Sequence, residues 1–213
     1  LGGAWRERRD EVVSSAVAIV EHLRPIKKAP DATRLIAGEL IDAVGADYDI
    51  LHGGFGGPTK FPNATLIDAL LVKGDPTSLD MAQNTCEHLV RGGIFDQVGG
   101  GFHRYSTDSQ WVVPHFEKML YDNALLLATM ARCWRRTADH DPDRRDLYSH
   151  AARRTVSWLN REMQLSNGLY AAGLDADSDD AAGHTREGIY YLWNQDLVTD
   201  ALGSDEAEWL RPL

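Results

Sequence analysis

The chain is poor in the residues that build secreted or redox scaffolds, with two cysteines and eight prolines in 213 residues. Cys86 and Cys133 stand far apart in apolar stretches and no C-x-x-C pair exists, which excludes a disulfide framework and a dithiol redox motif. Two reduced core thiols in a cytoplasmic protein are expected. No apolar run approaches the ~18 residues of a membrane span, so no membrane partner is expected. The opening LGGAWRERRDEVV lacks the apolar stretch of a signal peptide. Positive charge is also short: 22 Lys and Arg against 32 Asp and Glu leave a net charge of −10. That balance argues against a nucleic-acid partner, which needs a basic face. Arg132, Arg135 and Arg136 fall where a helix C-terminus favours cations. Hydrophobic residues make up 43%, enough for a substantial core.

The spacing predicts an all-α chain. Val12, Ala16, Ile19 and Leu23 recur at helical spacing over 5–23, and Pro25 follows. After a linker over 27–31, helices are expected over 33–51, over 63–72 with Asn63 as N-cap, and over 78–91. A helix over 114–137 begins at Pro114, and DHDPD separates it from one over 145–163. A short helix over 196–202 closes the pattern. Helix, glycine-aromatic loop, helix occurs three times. Helical hairpins whose long loops fall at one end build an α/α toroid, and about three hairpins make a partial barrel. The expected division is a connector helix over 1–28 and a partial α/α barrel over 29–213. Leu169–Ala172 and Ile189–Trp193 are expected to pair as a short β-hairpin. Uncovered helix faces of an open barrel predict self-association.

The segment 92–123, GGIFDQVGGGFHRYSTDSQWVVPHFEKMLYDN, is too long for an idle connection and too apolar to stay solvated. Its glycines allow positive φ and close backbone approach. In a helix from Pro114, His115 would sit in the first turn, where the dipole favours a neutral imidazole. His115, Lys118 and Asp122 would share one face, with Glu117 and Tyr121 on the adjacent strip. A purely structural network, with Glu117 on Arg104 and His115 on a carbonyl, is the competing expectation.

Asp175, Asp177, Asp179 and Asp180 begin like a calcium loop. The sixth position is Asp180 instead of glycine and the twelfth is Arg186 instead of glutamate, so no metal is expected. Asp175 and Asp177 could instead present a carboxylate pair to a pocket. The glycines of 92–101 lack the strand–loop–helix context of a nucleotide site, and no cofactor is expected. Lys60 and Phe61 could offer a charge and a stacking surface to a sugar, and Trp111 and Trp193 could also stack. Asp96, Gln97, Arg104, Tyr105, Tyr121 and Asp122, all in the long loop and its following helix, complete the candidate ligand-binding set.

GGFGGPTKFP, the 92–124 motif and GLYAAGLDADSDD with EGIYYLW resemble a family of thioredoxin-domain-containing proteins that includes spermatogenesis-associated members and bacterial relatives. The resemblance spans about residues 50–195. It implies a barrel similar to six-hairpin glycosidases and N-acylglucosamine 2-epimerases, attached to a thioredoxin-like domain that this sequence lacks. Barrel epimerases use histidines, which makes His115 a candidate base and His103 a candidate acid. Barrel hydrolases use paired carboxylates, for which Glu117, Asp175 and Asp177 are candidates. A non-catalytic ligand- or partner-binding barrel is the third expectation.

Overall fold

The computed structural model describes residues 2–23, 37–137, 141–180 and 183–210. These belong to two compact units, Leu1–Leu40 and Ile41–Leu213. In the first, α1 (Gly2–Glu7) and α2 (Arg9–Leu23) replace the single helix expected over 5–23, with a break at Arg8. The expected linker, Pro25 and the expected boundary at residue 28 lie outside the described residues.

Helix α3 (Ala37–Gly45) stops well before Leu51, because the chain after it turns for other bonds. Tyr48 bridges Phe55, and the Asp49 carboxylate accepts from the amides of Leu51 and His52 at 3.0 Å each. Two hairpins then form the body of the second unit. Helices α4 (Ala64–Lys73) and α5 (Pro76–Arg91) make the first, α6 (Leu120–Arg136) and α7 (Pro142–Trp158) the second. The same Asp-Pro device starts α5 and α7. Asp75 accepts from the Ser78 amide at 3.0 Å and Asp141 from the Arg144 amide at 3.1 Å, while the prolines occupy a position needing no N–H. Asn63 stands at the N-cap of α4 as expected, with its carbonyl accepting from the Leu66 and Ile67 amides, but it adopts φ 47° and its side chain makes no capping bond.

Within each hairpin the helices pack on one another, and α4 lies against α6 and α5 against α7. This is the stacking of an α/α toroid. Ile67, Leu70, Leu89, Leu126, Met130 and Tyr148 fill the interior. Cys86 and Cys133 meet there, both free, with Sγ atoms 3.3 Å apart. The Cys133 thiol and burial together push the Cys86 thiol up, so Cys86 is an inert core thiol. The short links that precede the Asp-Pro starts lie at one end of the hairpins. The long segments 46–63, 92–119 and 164–194 therefore gather at the other, as the helix-loop alternation requires.

The largest departure from expectation is the start of α6. Pro114 does not begin a helix. Tyr105–Ser106 (β1) pairs antiparallel with Pro114–His115 (β2), and Lys118–Met119 (β3) with Gly173–Leu174 (β4). The backbone of 113–120 is satisfied by its neighbours: Val113 O accepts from Thr107, Glu117 O from Arg104, and the Leu120 amide donates to Ala172 O. Tertiary pairing thus overrides the helix signal, and the dipole argument for His115 falls with it. The expected hairpin of 169–172 with 189–193 is not formed either. Gln164 bridges Tyr170, residues 188–191 make a turn, and the strands are the polar Asp177–Asp179 (β5) and Thr185–Glu187 (β6). Helix α7 runs on into a π turn, Leu159–Met163. Helix α8 (Gln195–Leu202) matches expectation; α9 (Ser204–Leu210) was not foreseen.

One side chain fastens the long loop to α6. Buried Asn123 accepts from the Phe102 amide at 2.6 Å and donates to Phe102 O and Met119 O at 2.9 Å each. Asn123→Ala strands a buried amide and carbonyl, so urea unfolding should show a loss of about 2 kcal/mol. A loss under ~0.5 kcal/mol would mean that water reaches Phe102.

Candidate active site

An extended segment turns side chains alternately to its two sides, and residues 114–119 use both. His115 and Glu117 face one side, Phe116 and Lys118 the other.

On the first side, Arg104 Nη1 donates to Glu117 Oε2 at 2.8 Å. The same oxygen lies 3.3 Å from His115 Nε2. His115 Nδ1 is held more closely, 2.7 Å from Glu187 Oε1. The imidazole stacks on its cross-strand neighbour Tyr105, centroids 4.7 Å apart and 13° from parallel, and Phe61 tilts against Tyr105 at 5.0 Å. The Glu117 salt bridge and the Tyr121 hydroxyl hold the Arg104 guanidinium charged, above its usual value. Phe61 and Tyr121 are exposed. Asp122, in the first turn of α6, is raised to about 6: burial is the main cause, the Glu117 charge adds to it, and Arg104 opposes. The Arg104–Glu117 bond of the structural-network expectation is therefore present, while His115 meets a carboxylate where a carbonyl was expected.

On the second side, Lys118 is buried. Its Nζ donates to Asp96 Oδ2 at 2.7 Å and Gly100 O at 2.9 Å, and stands 4.8 Å from the Tyr191 ring and 5.2 Å from that of Trp158. Burial resists ionisation of Asp96, but Lys118 and the amides of Gly99 and Val98 outweigh it and hold the carboxyl below its ordinary value. Gly100 and Gly101 have φ of 86° and 82°, and a Cβ on Gly101 would meet the Trp158 ring at 2.7 Å. Over this floor opens a cleft of about 500 Å³, lined among others by Asp96, Lys118, Arg161, Asp175, Asp177 and Tyr190. Asp175 and Asp177 share one wall, exposed, with Asp175 Oδ1 accepting from the Asp177 amide at 3.1 Å. Glu117 is not among the residues that line this cleft.

His103 belongs to the second side and is 2% exposed. Its Nδ1 donates to Phe116 O at 3.1 Å, and its ring stands edge-on to Phe116 and Tyr191. Burial, reinforced by the Lys118 charge, pushes it down to about 4. It is neutral at pH 7, has no proton to spare, and sits across the strand from His115. His103 and Trp193 line an adjoining cleft of about 460 Å³ together with Gln97, whose amide also donates to Val90 O at 2.8 Å.

Two candidate ligand residues turn out to be internal. Lys60 is buried and gives its protons to Asp49 Oδ2 at 2.8 Å and Ser109 O at 3.0 Å. Trp111 is buried, and its Nε1 donates to His52 O at 2.9 Å. Both tie the first loop to the second. Glu187 was missed by sequence reasoning; its only signal was its place at the head of EGIYYLW.

No family model matches the chain. It is 32% identical over 205 residues to spermatogenesis-associated protein 20 of Homo sapiens, covering 92% of this chain and 25% of that protein. To the Rattus norvegicus protein of the same name it is 30% identical over 210 residues, covering 92% and 26%. The chain thus spans about a quarter of the length of these relatives. Among solved structures it is similar to a sugar epimerase from a ruminal bacterium, with a TM-score of 0.52, 17% identity, and cover of 79% of this chain and 49% of that one. The likeness is one of fold. It supports the α/α toroid class reached from helix order and packing, and no described helix is long and apolar enough to cross a membrane.

Proposed function

We propose that the Arg104–Glu117–His115–Glu187 cluster is the proton-transfer site of a carbohydrate-active α/α barrel that isomerises or epimerises a reducing sugar. The observation that carries this reading is the unequal hold on His115: 2.7 Å from Glu187 at Nδ1 and 3.3 Å from Glu117 at Nε2. Glu187 orients the ring, as an acidic partner does in a catalytic dyad, and leaves Nε2 on the looser contact. Nε2 can then take the proton from the carbon beside a sugar carbonyl. Exposed Phe61 and Tyr121 provide apolar surface for a sugar face, and Arg104 is a charged hydrogen-bond donor beside the base. Location at the loop end of the hairpins fits, since binding groups gather on loops held by a rigid scaffold. The epimerase likeness agrees in fold. The hydrolase reading has less support, because Glu117 is tied to Arg104 and His115 and does not line the cleft that holds Asp175 and Asp177.

The test is hydrogen exchange. In D2O with a panel of reducing mono- and disaccharides, proton NMR should show deuterium entering the carbon next to the carbonyl. His115→Asn should slow this by about 10²–10⁴-fold. Absence of exchange with every sugar, or an unchanged rate in the variant, defeats the proposal.

A further inference from the structure

None of Arg104, Glu117, His115 and Glu187 lines the cleft over Lys118, so this space plays no part in the proposed proton transfer. Its lining is nonetheless built. The floor is the Lys118–Asp96 pair, closed by Gly100 O and the amides of Val98 and Gly99. Helix α7 does not stop at Trp158 but runs into the π turn Leu159–Met163, a rare form that concentrates at functional sites. That turn brings Arg161 and Glu162 to the lining, where Arg161 donates to Glu162 Oε1 at 2.8 Å and to Gly99 O at 2.8 Å. The rest of the guanidinium fork is left free to donate. The third loop adds Asp175 and Asp177, exposed and without a cation partner among the described residues, and Tyr190, 69% exposed. The adjoining cleft of about 460 Å³ shares Asp96, Val98, Gly99, Tyr190 and Tyr191 with this one and adds Trp193, 55% exposed. The two form one trough with open aromatic rings along it.

The chemistry of the lining selects the kind of ligand. A hydroxyl group both donates and accepts, and the trough offers both partners: spare N–H groups on Arg161, and carboxylate oxygens on Asp175 and Asp177. An anion would meet two carboxylates that no cation neutralises. A cation would find free acceptors only at those exposed positions, where water screens the attraction. In the floor the one carboxylate is already paired with Lys118. Exposed Tyr190 and Trp193 present flat apolar faces of the kind that cover one side of a sugar ring. A space of about 500 Å³ continued by one of about 460 Å³ has room for more than a single ring.

We propose that this trough binds a neutral glycan of two or more rings. One ring lies in the larger cleft on Arg161, Asp175 and Asp177, and the next lies against Tyr190 and Trp193 in the smaller one. The site goes beyond the function proposed above and does not rest on it, since binding here requires no turnover at His115.

Methyl glycosides test it, because without a free carbonyl they cannot undergo the proposed proton transfer. In amide proton–nitrogen NMR, methyl glucoside, methyl galactoside, methyl maltoside and methyl lactoside are titrated into the chain. Those that bind should move the Gly99, Asp177 and Trp193 amides, with the best disaccharide about tenfold tighter than the best monosaccharide. Asp177→Ala should weaken binding by about tenfold and Tyr190→Ala by about threefold. Both side chains are exposed, so the thermal unfolding midpoint should not move. Trp193→Ala should weaken the disaccharides more than the monosaccharides. No movement of these amides up to ~50 mM of any glycoside overturns the proposal. So does binding that Asp177→Ala and Tyr190→Ala leave unchanged, or choline or inorganic phosphate binding here more tightly than every glycoside. Glycoside binding without deuterium exchange in any reducing sugar supports this site and overturns the proposed function. Exchange that depends on His115, with no glycoside bound in the trough, does the reverse.

Discussion

Lys118→Met is expected to remove about 3–5 kcal/mol of stability, measured by guanidinium unfolding. Lys118 and Asp96 are a buried pair at 2.7 Å with further bonds to Gly100 O and the amides of Val98 and Gly99, and the lysine stem fills space under Tyr191 and beside Trp158. Methionine keeps most of the volume and leaves Asp96 half-buried without its cation. The loss should therefore come mainly from the stranded charge, and adding Asp96→Asn should recover part of it. The pH dependence has a definite sign. Asp96 titrates below its ordinary value in the fold, so its stabilisation is complete above about pH 4 and is lost as pH falls through the lower folded value. The penalty of Lys118→Met should be constant from pH 6 to 8 and shrink in acid. A loss under ~1 kcal/mol at pH 7, or one that grows in acid, would contradict this account.

Trp111→Ala should cost about 3–5 kcal/mol by the same measurement. The indole is wholly buried, bonds His52 O, and lies with Lys60 Nζ 5.1 Å from its ring. A Cβ on Gly54 would meet it at 2.5 Å, so the first glycine-aromatic loop is moulded around this ring. Removing it opens a cavity between two loops that are also tied by Lys60 Nζ to Ser109 O and by the paired backbones of Lys60 and Ser106. The first loop should become the fastest-exchanging part of the loop end in amide hydrogen exchange. A variant as stable as wild type would mean that Trp111 is not the keystone its burial indicates.

The sequence alone determined the fold class. Apolar residues at helical spacing and glycine-aromatic loops between helices are local signals, and local signals fix helices and their order. The order then fixes which end collects the long loops. Two local expectations failed for one reason: the helix start at Pro114 and the apolar hairpin of 169–172 with 189–193. Each rested on a short pattern whose backbone groups had better partners elsewhere, such as Ala172 O for the Leu120 amide. The residues of the site were largely legible as types, and their roles were not. His115 and Glu117 were visible, but their partner Glu187 lies 72 residues away and only the pairing of the third loop brings it to His115. Lys60 and Trp111 resembled ligand contacts because a lysine and a tryptophan in a glycine loop look alike whether they face a sugar or a core. Tertiary structure alone decided that His103 and His115 stand on opposite sides of one strand. In an extended segment, side is set by alternation and by what packs on each face. Burial finished the division, leaving His103 neutral and inside, and Asp122 with a sealed oxygen beside Arg104 and Glu117.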